Sequence, residues 1–199
     1  MTLTHFAIIA VCAYLLGSLS FAIIVSKLTL GKDIRNYGSG NAGLTNAYRT
    51  MGAKKTLLVL LGDIAKGAAA VSIGMVLAGP VGKLTAGIFV ILGHMFPLYF
   101  GFKGGKGVLV GAVMLAFFDW RVFGIAFVLF LLSVIVTNSI LGAVSFPITT
   151  WVFYRDPVLT AMALGMAAVV VFMHRSNIGR IIRGKENKFS FKSKKTMSD

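Results

Sequence analysis

The chain has 199 residues, of which 57% are hydrophobic and 13% are charged, and its formal net charge is +14. About a quarter of the residues in a soluble domain are charged, so this composition excludes an ordinary soluble protein and indicates several apolar membrane spans. In such a chain an excess of lysine and arginine is typical of cytoplasmic anchoring beside anionic lipid, and it argues against nucleic acid as a partner.

Seven apolar runs are predicted to form membrane helices, for which about 20 residues cross the hydrocarbon. They cover 3–25, 56–77, 84–100, 108–118, the two halves of 122–153, and 158–173. Gly79-Pro80 ends the second run, and Asp119-Trp120-Arg121 ends the fourth. The run 122–153 is too long for one helix, so we expect Asn138-Ser139 to interrupt it. The predicted fold is therefore all-α and polytopic; a five-span alternative has 108–118 re-entrant and the long run unbroken.

The distribution of basic residues predicts the orientation of these spans. With the N-terminus outside, the outer loops hold only Lys83, Arg121 and Arg155 of the 20 lysines and arginines, and Lys66 lies within a span. The positive-inside rule therefore places the N-terminus outside and the C-terminus in the cytoplasm. We expect one transmembrane domain over 1–186, followed by a basic cytoplasmic tail over 187–199. The unusual polar segments then all meet the cytoplasmic face, which favours an enzyme over a channel.

The first of these segments, 32–55, combines glycines with cations and neutral polar side chains. Glycines at 38, 40 and 43 allow a tight loop, and either Arg35 or Arg49 can clamp a phosphate or carboxylate through two hydrogen bonds. The neutral polar residues expected to support binding include Ser39, Asn41 and Asn46. The alternative is an interfacial loop with ordinary capping groups.

The second segment is the stretch Lys103, Gly104, Gly105, Lys106 and Gly107. Glycine lets successive backbone N–H groups turn toward one point, and a lysine beside them adds positive charge, a combination that suits a phosphate. The spacing is not that of a Walker A loop. The alternative is a basic turn between two membrane helices.

Further polar residues lie at the end of the last span and inside two others. His174 is a candidate proton acceptor or anion ligand, and Asn177 would share its helical face; alone, this segment is more typical of a basic anchor for lipid head groups. Glu186 is predicted to be a structural partner for nearby arginines, with the role of a base as the alternative. Asp63 and Lys66 are three residues apart and able to neutralise each other. His94, at a helix end, is predicted to be structural.

Several chemistries lack their motifs. The sequence contains no GxSxG elbow, no HExxH and no pair of aspartate-rich metal motifs, and its single cysteine, Cys12, excludes a disulfide framework and a thiolate metal site. No histidine is followed five residues later by an aspartate, so the usual dyad of thioester-using glycerolipid acyltransferases is missing. We therefore predict neither a metal nor a cofactor.

Taken in order and spacing, these residues resemble the small bacterial acyl-phosphate-dependent glycerol-3-phosphate acyltransferases over nearly the whole chain. The residues that carry the resemblance are Asp33-Ile34-Arg35, Gly38-Ser39-Gly40-Asn41, Thr45-Asn46, Asp63, Lys66-Gly67, Gly93-His94, Phe96-Pro97, Phe102 to Val108, Ser139, His174-Arg175, Asn177-Ile178, Arg180, Gly184 and Glu186. The chain departs from the family pattern at Leu109-Val110, where the family has Ala-Thr, and at Val136, where a serine is frequent.

The resemblance implies a seven-helix enzyme of the bacterial inner membrane with its active site on the cytoplasmic side. It implies transfer of an acyl chain from acyl phosphate to the sn-1 hydroxyl of glycerol 3-phosphate, giving lysophosphatidic acid and phosphate. The residues that it implies at the site are Ser39, Arg49, Lys106, Ser139, His174 and Asn177. The general base is either His174 or the phosphate of the donor, and we expect the protein to contact membrane lipid and to act as a monomer. The rival classes are a small transporter of organic phosphates and a non-catalytic lipid-binding paralogue.

Overall fold

The computed structural model describes residues 1–136 and 140–183. These residues form α-helices and two short 3-10 turns, with no strand among them, which confirms the all-α prediction for the described part. They make up two compact units, Met1–Val113 and 114–183. The predictions for Asn138, Ser139 and Glu186, and for the tail 187–199, lie outside the described residues, and the single domain over 1–186 stays a prediction.

The helices follow most of the predicted runs. The elements in chain order are α1 (Leu3–Gly17), α2 (Phe21–Leu30), a 3-10 turn (Ile34–Asn36), α3 (Leu44–Met95), a second 3-10 turn (Leu98–Phe100), α4 (Val108–Phe118), α5 (Trp120–Val136), α6 (Ile140–Tyr154), α7 (Pro157–Met173) and α8 (Arg175–Ile182). The bounds of α4 are those predicted. The long run 122–153 is divided between α5 and α6, on either side of 137–139.

The first apolar run is broken, and the prediction of one helix over 3–25 is wrong. Helix α1 ends at Gly17, and α2 begins at Phe21 and continues to Leu30, where Gly31 ends it with a φ of 63°. The break leaves backbone carbonyls inside the protein. The ammonium of Lys66 donates to two of them, at 3.1 Å from Gly17 O and 2.8 Å from Leu19 O. A side chain 49 residues away thus stabilises the interruption.

Helix α3 is a hairpin and not one continuous rod. Its backbone leaves the helical conformation at Gly52 and again at Ala78 and Gly79, so it consists of segments 44–51, 53–77 and 80–95. A Cβ built on Gly74 would overlap the carbonyl of Gly82, whereas residues eight apart in a straight helix are about 12 Å apart. The chain therefore reverses direction at 78–79, as the predicted break at Gly79-Pro80 requires.

Glycines also bring α1 against the returning arm of this hairpin. A Cβ at Gly93 would overlap Tyr14 O, and one at Gly17 would overlap Val90 O. Side chains on either residue would separate the two helices. Tyr14 reinforces the contact because its hydroxyl donates to Phe96 O at 2.8 Å.

Two stretches of the described chain, Leu3–Leu30 and Leu44–Phe100, are long and apolar enough to cross a membrane. The second contains the hairpin, whose arm 53–77 is about 37 Å long at 1.5 Å per residue, against about 30 Å of hydrocarbon. The number of spans and the orientation of the termini stay predictions.

In the second unit, Asp119 joins the start of α5 to the end of α6. Its carboxylate accepts from the Arg121 side chain, at 2.7 Å from Nη2, and from the Tyr154 hydroxyl at 2.7 Å. Arg121 also lies over the ring of Phe153, 4.7 Å from its centroid. These contacts hold a polar corner at the predicted interfacial break.

Candidate active site

Arg35 joins the two glycine-rich segments of the first unit. Its guanidinium donates to both carboxylate oxygens of Asp33, at 3.0 Å from Nε and 2.8 Å from Nη2. The remaining nitrogen, Nη1, donates to Phe100 O at 2.6 Å and to Lys103 O at 3.2 Å. The hydrogen bonds from Arg35 hold the pKa of the Asp33 carboxyl below its ordinary value. The structure thus places Arg35 as a strut between the loops; the predicted contact with a phosphate stays a prediction.

Asn46 shapes the first loop from inside. Its side chain is 2% exposed; Nδ2 donates to Tyr37 O at 3.0 Å, and Oδ1 accepts from the backbone N–H of Ser39 at 2.9 Å. Gly38 has a φ of 59°, and a Cβ there would overlap Asn46 Oδ1. Asn46 therefore positions Ser39, whose own side chain is exposed, so a direct part for Asn46 in substrate binding stays a prediction.

The second loop folds back onto the end of α3. The N–H of Gly104 donates to Met95 O, and the N–H of Gly105 donates to His94 O, both at 3.1 Å. The prediction that the backbone N–H groups of Gly104–Gly107 together bind a phosphate therefore needs correction. Two of these N–H groups already donate to backbone carbonyls. The glycines are needed for another reason: a Cβ on Gly104 would overlap His94 O, and one on Gly105 would overlap His94 Nε2.

Beneath this loop lies a buried charged cluster, Asp63–Lys66–His94. Lys66 Nζ is 2.8 Å from Asp63 Oδ1, as an ion pair outside hydrogen-bonding angles, and 3.0 Å from His94 Nδ1. The three residues are 1–4% exposed. The predicted ion pair is thus present, and it extends to the break between α1 and α2 and to the ring of His94.

The remaining predicted residues of the first unit lie around these loops. Arg49 is half-buried in segment 44–51, one turn after Asn46. Asn41 and Lys106 are half-buried, and Lys103 is exposed. The carbonyl of Lys103, not its ammonium, is the group that Arg35 contacts.

His174 and Asn177 belong to the second unit. His174 follows α7, is 3% exposed, and lies with Nδ1 2.8 Å from Val170 O. A carbonyl only accepts, so Nδ1 carries the hydrogen and the lone pair of the neutral ring is on Nε2. Asn177 lies in α8, three residues further on.

Two supporting residues, Ser18 and Tyr14, were not identified from the sequence, whereas His94 was predicted to be structural. Ser18 accepts from the N–H of Leu98 at 3.2 Å, Tyr14 donates to Phe96 O, and His94 contacts the second loop. The available signal was the pair of serines, Ser18 and Ser20, inside an apolar run. Val110, one of the departures from the family pattern, is fully buried, with Gly67 beside it, so its apolar side chain fits its surroundings.

Comparisons with known proteins agree on one family. The family model described as glycerol-3-phosphate acyltransferase matches residues 7–184. Glycerol-3-phosphate acyltransferase 2 of Bacillus anthracis is 38% identical over 89% of this chain and 96% of its own length. The glycerol-3-phosphate acyltransferase of Geobacillus kaustophilus is 38% identical over 96% of this chain and 99% of its own.

Solved structures of PlsY, an integral membrane glycerol 3-phosphate acyltransferase, are also similar. The glycerol 3-phosphate form has a TM-score of 0.84 and 33% identity, covering 93% of this chain and 96% of that one. The lysophosphatidic acid form has a TM-score of 0.82 and 30% identity, covering 94% and 96%.

Proposed function

The chain belongs to the glycerol-3-phosphate acyltransferase family, and on that premise we propose an acyl donor, a set of site residues and an orientation for its reaction. It is an integral membrane enzyme of phospholipid synthesis that transfers an acyl chain to glycerol 3-phosphate, and lysophosphatidic acid is the product. This activity replaces the two alternative hypotheses, a transporter of organic phosphates and a non-catalytic lipid-binding paralogue.

The proposed donor is an acyl phosphate. The oxygen of the sn-1 hydroxyl attacks the carbonyl carbon, its proton passes to a base, and the bond from that carbon to the phosphate oxygen breaks to release inorganic phosphate. Phosphate is a good leaving group, so catalysis rests on holding two anionic substrates together and on stabilising charge on the carbonyl oxygen. The missing histidine–aspartate dyad of thioester-using enzymes supports this donor.

The observation that carries the site proposal is the junction of two glycine-rich loops through Arg35, which contacts Phe100 O and Lys103 O. Both loops bring cations and backbone polar groups to one place in the first unit. The proposed substrate-binding residues are Asn41, Lys103, Gly107 and Ser139, with Lys106 as the main phosphate ligand. Gly104 and Gly105 shape the loop, because their N–H groups already donate to backbone carbonyls. The proposed catalytic residues are Ser39, Arg49, His174 and Asn177, on the strength of the resemblance.

The proposed base is Nε2 of His174, because the contact of Nδ1 with Val170 O leaves the lone pair of the neutral ring there. The phosphate of the donor is the second candidate. We place the site at the cytoplasmic face of a bacterial inner membrane, on the charge distribution of the loops. The seven proposed spans rest on the apolar runs of the sequence, and we propose that the protein acts as a monomer.

One assay tests the donor. Purified protein in lipid nanodiscs receives labelled glycerol 3-phosphate with either an acyl phosphate or the matching acyl-CoA, with and without chelator. We expect turnover with acyl phosphate alone, unchanged by chelator. Comparable turnover with acyl-CoA, or loss of activity in chelator, would refute the proposed donor chemistry.

A substitution in the same assay tests the phosphate ligand. A hydrogen bond to a charged group contributes roughly 1.5–3 kcal/mol, so Lys106→Ala should raise the KM of an anionic substrate by ~10- to 150-fold at ~1.4 kcal/mol per decade. Lys106→Arg should restore part of this, because a planar fork replaces a point charge. Lys54→Ala, at an exposed lysine, is the control. Unchanged kinetics in folded Lys106→Ala protein would contradict the assignment.

A further inference from the structure

His94 has no part in the mechanism above, yet it occupies a central position beneath the second loop. It is the penultimate residue of α3 and is 4% exposed. Its Nδ1 lies 3.0 Å from Lys66 Nζ and 3.8 Å from Asp63 Oδ1. A buried polar ring at this point needs partners on both of its nitrogens.

The Asp63–Lys66–His94 cluster determines which ring nitrogen of His94 carries the proton. Lys66 Nζ lies 2.8 Å from the carboxylate of Asp63 and donates to Gly17 O and Leu19 O. As the ammonium of this ion pair, it has no lone pair to offer. Nδ1 of His94 must therefore accept, and the proton of the neutral ring is on Nε2. Since the ammonium has several fixed partners, the ring has little freedom to turn.

Nε2 lies where the two glycine-rich loops meet. A Cβ built on Gly105 would overlap Nε2 and would lie 2.9 Å from Ala42 O, which belongs to the first loop. The N–H of Gly105 is also bonded to the carbonyl of His94 itself, at 3.1 Å. His94 thus contacts the second loop through both its backbone and its ring, beside Ala42 O of the first loop.

We propose that His94 is a positioning residue, which uses the Nε2–H group held in place by Lys66 and Asp63 to fix Gly104–Lys106 relative to the loop containing Ala42. The inference rests on the proposed function in one respect, that Lys106 binds the phosphate of glycerol 3-phosphate. His94 acts on affinity through the loop and does not touch substrate.

Two amide replacements separate this role from packing. The amide nitrogen of His94→Gln can reach the position of Nε2, whereas the side chain of His94→Asn reaches only the position of Nδ1, where its carbonyl oxygen can accept from Lys66. With the contact of Nε2 at Gly105 valued like one hydrogen bond, roughly 0.5–1.5 kcal/mol, His94→Asn should raise the KM and the Kd for glycerol 3-phosphate by about 3- to 10-fold, at ~1.4 kcal/mol per decade. His94→Gln should stay within about twofold of wild type, with the KM for the acyl donor little changed in both.

Gly74→Ala is the matched control for stability. The new Cβ overlaps Gly82 O at the opposite end of the hairpin, so this variant should lose thermal stability and keep the wild-type KM. Equal Kd values for His94→Asn and His94→Gln, or a rise in Gly74→Ala as large as in His94→Asn, would overturn the proposal in favour of packing alone.

A second measurement covers the case in which His94→Asn does not fold. Imidazole ¹⁵N chemical shifts of the wild-type protein identify which ring nitrogen carries the proton, and an Nδ1–H tautomer would overturn the proposal.

Calorimetric binding of glycerol 3-phosphate needs no acyl donor, so a failed donor assay and a failed role for His94 give different results. In the Lys106→Ala background the His94→Asn effect should shrink; an undiminished effect would refute action through Lys106.

Discussion

At the scale of single residues, the chain uses one local motif twice. An aspartate accepts from the backbone N–H, the Nε and an Nη of the arginine two positions later, at Asp33–Arg35 and at Asp119–Arg121. The difference lies in the next contact: Arg35 donates to carbonyls of the second loop, whereas Arg121 lies over an aromatic ring. The motif therefore fixes the orientation of an arginine side chain, and the surrounding residues determine which group the arginine contacts.

Lysine substitutions at Arg35 and Arg121 should show that only the first arginine affects substrate binding. A lysine keeps the charge but lacks the fork needed to bond a carboxylate and two carbonyls together. Arg35→Lys should therefore raise the KM for glycerol 3-phosphate by about 3- to 10-fold, through loss of about 1 kcal/mol. Arg121→Lys disrupts the same local motif and should leave the KM unchanged. Steady-state kinetics of both variants measure this KM. Equal changes in the two variants would contradict the role of Arg35 in linking the two loops.

The same pair predicts how stability depends on pH. The pKa of Asp33 is lowered from its ordinary value of 3.8, chiefly by the hydrogen bond from the Arg35 side chain. A carboxyl with a lowered folded-state pKa stabilises the protein fully above the unfolded value, and this stability is lost as the pH falls through the folded value. The difference in melting temperature between wild type and Asp33→Asn should thus be constant from about pH 7 to pH 5 and should shrink below about pH 4. A difference that widens on acidification would contradict this.

At the scale of elements, close contacts between helix backbones shape the first unit. Gly17 and Gly93 let α1 touch the returning arm of α3, and Gly74 with Gly82 lets the hairpin close on itself. In a membrane, where lipid is as apolar as leucine, such packing supplies much of the association between helices. These glycines determine where the loops at the end of α3 lie.

Alanine substitutions at two helical glycines should have opposite effects. In Gly93→Ala the new methyl overlaps Tyr14 O, so we expect a loss of about 1–3 kcal/mol, as for overpacked cores. At Gly165, inside α7, no atom of the described residues lies within 4 Å of the new methyl. Gly165→Ala should therefore stabilise by about 0.5–1 kcal/mol through helix propensity. Thermal unfolding in one detergent compares them. A stable Gly93→Ala protein would show that the helices can separate without cost.

Hydropathy and turn residues predicted most elements but not the break between α1 and α2. The bounds of α4 and the reversal at Gly79-Pro80 follow from local composition. The break after Gly17 depends on Lys66, and no window around the first run contains that partner. Likewise, the sequence predicts a role for the conformational freedom of the glycines in the second loop. In the structure, Gly104 and Gly105 are required because a side chain there would overlap His94, a contact that no local pattern contains.

At the scale of the whole molecule, the family and the activity could be predicted from the order and spacing of the polar residues. The internal arrangement of the site could not. Arg35 and Asn46 were predicted to bind substrate, yet in the structure their side chains donate to the protein's own backbone and to Asp33. A sequence identifies a donor group but not its acceptor, so residues that support a loop and residues that bind a ligand give the same pattern.

The orientation of the chain can be tested with single cysteines in a Cys12→Ala background. Lys54 and Trp120 are both exposed, and the positive-inside rule places the first in the cytoplasm and the second outside. A membrane-impermeant maleimide applied to spheroplasts should label Trp120→Cys at once and Lys54→Cys only after permeabilisation. The reverse pattern would overturn both the orientation and the cytoplasmic location of the site.

The contact between Lys66 and the end of α1 also has a consequence for biosynthesis. The ribosome completes Gly17 and Leu19 well before it reaches the lysine that their carbonyls contact. During that interval the broken helix would present unsatisfied carbonyls to lipid, which is costly, and a lone lysine and aspartate at mid-membrane each oppose insertion by about 2.5–3.5 kcal/mol. The carbonyls at the break between α1 and α2 need the ammonium of Lys66, and that ammonium needs acceptors. We therefore expect α1, α2 and the hairpin arm 53–77 to enter the lipid together and not one helix at a time.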